Sequence, residues 1–298
     1  MTGLRPGRAR ASALHHPARP ATRRYPQTSL DALRCPHCGG GFTAGDGQFT
    51  CTTGHTFDVA KHGYVALLAA RARTDTGDTA DMVAARVNFL GAGHYAPIAA
   101  AVAGAIGAAS GVVLEIGAGT GFYLQSALHA AEPETSGIAI DSSKFAARRA
   151  AAAPQVLSVV ADAWSALPIF DRAVGAVVSV FAPRTPAEVA RVLRPGGRFL
   201  AVTPEPRHLL QLRQRLGMLT VDDGKADRLA ESLAGLLRPD GRQLVEFELT
   251  LPHADISALV RMGPTARHLA GAELQARIEA LPEPFTTAGA VTLSSFQS

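Results

Sequence analysis

The stretch Val112-Val113-Leu114-Glu115-Ile116-Gly117-Ala118-Gly119-Thr120-Gly121 decides how the whole chain is read. An apolar run of strand length enters a glycine-rich turn, and Phe122-Tyr123-Leu124 then opens a helix. Glycines at such a turn let the backbone come close to a ligand, and amides at a helix N-terminus donate hydrogen bonds to it. The spacing is G-x-G-x-G, not the G-x-G-x-x-G of a dinucleotide fingerprint. Glu115 stands two residues before the first glycine. An acid at that position suits a ligand that ends in a cation or an amine.

Outward from this turn the pattern alternates between strand and helix. Strands are expected at Val112–Ile116, Gly137–Asp141, Leu157–Val160, Val174–Val180, Arg198–Val202, Leu244–Leu251 and Ala290–Leu293, with helices between most of them. Such alternation implies an α/β fold: a mostly parallel seven-stranded, Rossmann-like sheet with helices on both faces. Asp141 ends the second strand, 20 residues beyond Gly121. An acid there can accept both hydroxyls of a ribose. Its rival role is capping the next helix, since Ser142 and Ser143 follow. Asp162 and Ala163 end the third strand, where the acid could accept from an adenine amine. Phe181-Ala182-Pro183 follows the fourth, and Leu193-Arg194-Pro195-Gly196-Gly197 reads as a tight turn into the fifth.

The chain has 298 residues, 47% hydrophobic and 18% charged, which is globular composition. No apolar run reaches the ~18 residues that span a bilayer, so no membrane partner is expected. The formal net charge is +4, but residues 1–34 carry +6, residues 35–75 carry zero and the remainder −2. The basic character therefore belongs to the start of the chain. Four segments are expected: a disordered Arg-rich tail over 1–30, a metal-binding module over 31–68, a helical linker over 69–110 and the α/β domain over 111–298. An odd count of three cysteines argues against a disulfide framework and for a reducing, cytoplasmic compartment.

All three cysteines fall in one window. Cys35-Pro36-His37-Cys38 is followed by Cys51-Thr52-Thr53-Gly54-His55, a C-x2-C-x12-C-x3-H spacing. Two close pairs on two turns supply the four ligands of a tetrahedral zinc ion. The expected set is Cys35, Cys38, Cys51 and His55, with His37 and His62 as competitors for the fourth place. Four protein ligands leave no position for water, so this zinc would be structural. Its thiolates would stabilise a segment with little apolar core of its own.

The glycine turn, Asp141, Asp162 and the Leu193–Gly197 turn, in that order, resemble the class I S-adenosylmethionine-dependent methyltransferases. The resemblance implies S-adenosylmethionine as cofactor. It places the methionine end at Glu115, Gly117, Gly119, Thr120 and Gly121, the ribose at Asp141, and the adenine at Asp162 and Ala163. The zinc-ligand pattern, Phe57-Asp58-x-Ala60-Lys61-x-Gly63-Tyr64, Met82-Val83-x-Ala85-Arg86, Gly93-His94-Tyr95-x-Pro97 and Met262-Gly263-Pro264-x-Ala266-Arg267-His268 are similar to the RlmA/TlrB family. That family implies methylation of N1 of a guanine in hairpin 35 of 23S ribosomal RNA, with macrolide resistance as one consequence. The partner is then a ribosomal RNA hairpin, and a homodimer is left open.

Guanine N1 must lose a proton, so a carboxylate or histidine near the Phe181 loop is needed. The candidates are His94, Glu205, His208 and His268. Phe181-Ala182-Pro183 could stack on the guanine. Arg86, Arg207 and Arg267 could meet phosphate, and Lys61, His62 and Tyr64 could grip the hairpin. Tyr95 and Trp164 read equally as core residues. Two rival readings are a small-molecule methyltransferase and a non-enzymatic zinc and RNA-binding protein. The zinc module argues against the first, and the intact Glu115, glycine and Asp141 set against the second.

Overall fold

The computed structural model describes residues 25–69, 77–107, 111–263 and 271–298. The Arg-rich segment to residue 24, and His268 with Arg267, lie outside the described residues.

The chain opens with α1 (Gln27–Ala32) and a three-stranded antiparallel sheet of β1 (Phe42–Ala44), β2 (Gln48–Cys51) and β3 (Thr56–Asp58). Then come β4 (Tyr64–Ala66), α2 (Ala80–Gly91) and α3 (Ala96–Ile106). The alternating part runs β5 (Val112–Ile116), α4 (Phe122–Ala130), β6 (Ser136–Asp141), α5 (Lys144–Ala150), β7 (Val156–Val160), β8 (Val174–Val180), α6 (Pro186–Val192) and β9 (Leu193–Pro204). It closes with α7 (Leu210–Leu216), α8 (Lys225–Leu233), β10 (Arg238–Leu251), α9 (His253–Arg261), α10 (Gly271–Glu279) and β11 (Phe285–Gln297).

The main sheet has the order β10-β11-β9-β8-β5-β6-β7-β4. Strands β4 to β9 pair in parallel, while β11 runs antiparallel to both β9 and β10. Every residue of β5, β7 and β8 is buried. That is why these strands read as continuous apolar runs: helices cover both of their faces. One face packs against α2 to α5, α7, α9 and α10, and the other against α1, α6 and α8. β5 lies between β6 and β8, so successive connections leave it in opposite directions. The crevice that opens at the C-terminal end of β5 is where open parallel sheets place ligands.

Three features differ from the sequence reading. First, the seven expected strands are joined by an eighth. β4 pairs with β7 in parallel, Tyr64 opposite Ser158 and Ala66 opposite Val160. A three-residue strand with only Val65 buried carries too little alternation to be read in advance. Second, order begins inside the stretch expected as a disordered tail. α1 buries Ser29 and Leu30, and the Ser29 hydroxyl donates to Ser136 Oγ at 2.8 Å. A six-residue helix has almost no periodicity, so it is held by this docking rather than by propensity. Third, α3 is core rather than linker: Ile98, Val102 and Ile106 are at most 2% exposed. Its alanines let it lie close to α4, so it carries few large side chains to announce burial. No single helix among the described residues is long and apolar enough to cross a membrane.

Candidate functional site

The zinc module brings together the ligands expected of it. One atom from each of Cys35, Cys38, Cys51 and His55 lies within 4.8 Å of the others. Cys38 Sγ is 3.5 Å from Cys51 Sγ, and His55 Nδ1 is 3.3 Å from Cys51 Sγ and 3.8 Å from Cys35 Sγ. These separations suit four ligands around one ion with Zn–S near 2.3 Å. Burial pushes the Cys51 thiol up, but Thr53 and His55 outweigh it and draw it down to about 5. A thiolate is the form that binds metal. The competitor His37 instead stacks on Phe57 with ring centroids 5.6 Å apart. His37 and His62 are not part of the cluster among the described residues. Lys61 and His62 are exposed in the turn before β4, while Tyr64 is half-buried.

At the end of β5 the turn backbone is left-handed at Gly117, φ +68°, and at Gly119, φ +54°. A Cβ on Gly117 would sit 2.3 Å from Ala182 Cβ, so only glycine lets this turn pass the loop after β8. Thr120 is half-buried, and Gly121 starts α4. Glu115 is 1% exposed, and its Oε2 accepts from Leu124 N at 3.0 Å. It ties the strand to the first turn of α4, and burial pushes its carboxyl well up.

Asp141 closes the other side. Its Oδ2 accepts from Gly119 N and its Oδ1 from Ser143 N, both at 2.8 Å. The α5 cap is Ser143, whose hydroxyl accepts from Ala146 N at 3.3 Å, so Asp141 braces the turn and the cap residue rather than capping the helix itself. Each oxygen has a second lone pair that a ribose hydroxyl could use. Asp162 is buried and accepts from Trp164 N and Ser165 Oγ, both at 2.9 Å, which shapes the loop after β7. Ala163 is half-buried beside it. A glycine cradle, an acid at its rim and a shaped loop one strand further on fit an adenosyl ligand with an amino-acid end.

Around the Phe181 loop lies an aromatic cluster. Phe181 has φ +54°, an unusual conformation for a bulky residue, and is 41% exposed. The Tyr95 ring meets Phe89, Phe181, His208 and Phe247 at 5.0–6.2 Å. Arg184, half-buried, donates to Ala182 O at 2.9 Å and braces the loop. Tyr95 is a core residue, but Trp164 is 62% exposed, correcting the equal treatment of the two.

The structure separates the three proton-acceptor candidates among the described residues, His94, Glu205 and His208. His208 Nδ1 accepts from Ala290 N at 3.1 Å, so the ring hydrogen sits on Nε2 and faces Tyr95 Oη, also at 3.1 Å. Both ring nitrogens are committed, and burial holds the imidazole down at about 4. Glu205 Oε1 accepts from Thr292 Oγ1. Thr292 alternates along β11 with Val291 and Leu293, which pack in the Tyr95 cluster, so Glu205 lies on the opposite face. There it lines a cavity of about 400 Å³ with Lys225, Asp227 and Arg242. His94 Nε2 is 2.7 Å from Asp255 Oδ2. Neither His208 nor Glu205 is placed to take a proton, while His94 meets Asp255 through Nε2. Arg207 pairs with Glu246 at 2.9 Å on the surface.

The neutral His208 has a measurable consequence. Its folded value lies below the ordinary ~6.5 of the unfolded chain. As pH falls the unfolded state takes the proton first, so stability present above about pH 6.5 is lost towards pH 4. The full effect is about 3 kcal/mol. Urea denaturation of the wild type at pH 7 and pH 5 should show a larger loss than the same pair of measurements on His208→Gln. Equal losses would show that the ring is not held neutral.

Comparison with known proteins decides the family. The "RlmA, N-terminal" zinc-ribbon model matches residues 33–74, and a "Methyltransferase domain" model matches residues 113–197. The 23S rRNA (guanine(748)-N(1))-methyltransferase of Streptomyces fradiae is 45% identical over 256 residues, covering 84% of this chain and 91% of that protein. The chain belongs to this methyltransferase family. A Micromonospora griseorubida protein assigned the same type of activity is 43% identical over 290 residues, covering 90% of this chain and 98% of that protein. Zinc and S-adenosylmethionine are the cofactors that its ribbon and its methyltransferase core take.

One element beside the glycine turn escaped the sequence reading. Segment 77–79 and α2 lie over the glycine turn, and Asp78 O accepts from Ser143 Oγ at 2.6 Å. Arg86, expected either at phosphate or in a solvated face or ion pair, forms an ion pair with Asp78 at 2.6 Å. A lone arginine on an amphipathic helix carries no signal of which loop it will cover.

Proposed function

We propose that this enzyme transfers a methyl group from S-adenosylmethionine to N1 of a guanine in hairpin 35 of 23S ribosomal RNA. The observation that carries this reading is the 45% identity to the guanine-748 enzyme, which runs over 84% of the chain. A ribosomal substrate supports a cytoplasmic site for the reaction.

The cofactor supplies an already activated methyl group. The glycine turn, Asp141 and the Asp162 loop hold and orient the adenosyl part. What remains is to present N1 in line with the methyl and to remove its proton. A base in a duplex or a stacked loop cannot reach a buried methyl, so it must be splayed out. Phe181, exposed at the end of β8 and next to Ala182, which faces Gly117, offers the stacking surface. His94, held by Asp255, is the described candidate left to receive the proton. The zinc module, continuous with the sheet through β4, offers Lys61 and His62 to the RNA.

The test is mass mapping of 23S RNA incubated with the enzyme and labelled cofactor. One added methyl on a hairpin-35 guanine, blocking its Watson–Crick edge, is expected. Stoichiometric cofactor binding with no methyl on that RNA would refute the reading.

A further inference from the structure

Arg86 sits on the inner face of α2, in line with Met82 and Phe89. Its Nη2 donates to Asp78 Oδ2 at 2.6 Å and to the Met262 carbonyl at 2.8 Å. These two bonds come from opposite sides, one from the start of α2 and one from the end of α9, and fix the guanidinium plane. Its Nε is buried and has no hydrogen-bond partner. A buried, unpaired donor on a cation is expensive, typically about 1–3 kcal/mol or more. It calls for an acceptor that the protein alone does not provide.

The position of this donor narrows what the acceptor is. A Cβ on Gly119 would lie 3.2 Å from Arg86 Cδ and 3.5 Å from Nε, so the guanidinium rests on the glycine turn itself. Around it stand three carboxylates, Asp78, Glu115 and Asp141, and Arg86 is the cation that acts on the last two. Acidic groups here suit the sulfonium and the amine of the cofactor but offer its carboxylate no donor. One fixed guanidinium supplies that donor through the Nε hydrogen, which the bonds of Nη2 to Asp78 and Met262 leave unpaired.

We propose that Arg86 binds the α-carboxylate of the methionine moiety of S-adenosylmethionine, with Asp78 as the positioning residue that aims it. The assignment rests on the cofactor alone and not on the RNA target. It gives α2 a role in the cofactor site rather than in phosphate binding.

Isothermal titration without RNA tests it. The probes are S-adenosylhomocysteine, its decarboxylated analogue and 5′-methylthioadenosine, which lacks the amino-acid end. Wild type should prefer S-adenosylhomocysteine to the decarboxylated analogue by about 30- to 100-fold, the range for a buried charge pair. Arg86→Gln should lose most of that preference while keeping its affinity for 5′-methylthioadenosine. Asp78→Asn should weaken the preference less. A wild type that binds the two amino-acid ligands equally would overturn the proposal, even if Arg86→Gln failed to fold. So would an Arg86→Gln variant that weakened all three ligands alike, since that is the mark of a purely structural arginine. RNA mapping could fail with this result intact, so the two readings fall separately.

Discussion

Asp141→Ala is expected to abolish methyl transfer and to weaken S-adenosylhomocysteine by about 100-fold or more, on the scale of losing a buried charged acceptor. The carboxylate does two things at once. It accepts from Gly119 N and Ser143 N, joining the turn after β5 to the start of α5. It also keeps lone pairs for the ribose. Alanine leaves two amides without a partner, at about 1–3 kcal/mol each if both stay buried. It therefore removes the anchor of the turn as well as the ligand acceptor. Asp141→Asn keeps one carbonyl oxygen but turns an amino group towards the second amide, so an intermediate loss is expected. Gly119→Arg should match alanine for a different reason. It forces a side chain onto a φ of +54° and into Arg86. Calorimetry with S-adenosylhomocysteine reads all three. An alanine variant that binds like wild type would place the ribose elsewhere.

The legible part of this chain was the part whose chemistry is written in short range. The turn at 117–121 needs glycine for local steric reasons, and the zinc pairs need cysteine at fixed spacing. The buried parallel strands needed no long-range information either, because a strand covered on both faces must be apolar throughout. What stayed hidden depends on pairing between distant segments. β4 has three residues and gains its place only by lying along β7. His208 is a plausible base on paper, and only the Ala290 amide, 82 residues away, commits its Nδ1. Glu205 fails for a similar reason, since its partner Thr292 alternates along β11 to the other face. The sequence marked Arg86 but not its place, because its partners, Asp78, Met262 and Gly119, are brought together by two helices and a turn.

That long-range wiring makes zinc removal the second change with a large expected effect. β1, β2 and β3 have three or four residues each, and such a sheet is marginal by itself. Structural zinc contributes about 10–16 kcal/mol in small zinc-finger peptides at neutral pH, far more than this apolar cluster can replace. Cys35 and Cys51 are buried in the same core as Leu33, Phe49, Leu157 and Ile169. Losing the ion therefore does not free a detachable knob; it loosens the edge of the main sheet. β4 should leave β7, and amide exchange protection should fall first over residues 42–66. The chain beyond β4 leads to Asp78, which aims Arg86, so cofactor affinity should fall too, by about tenfold for a loosened rather than absent charge contact. RNA methylation should fall by about 100-fold or more, because the substrate loses the module as well. Chelation of the wild type and Cys38→Ser should agree on all three readouts. If metal-free protein kept its protection at Tyr64–Ala66 and its full cofactor affinity, the zinc site would be a separate appendage, and the mechanical link through β4 would be wrong.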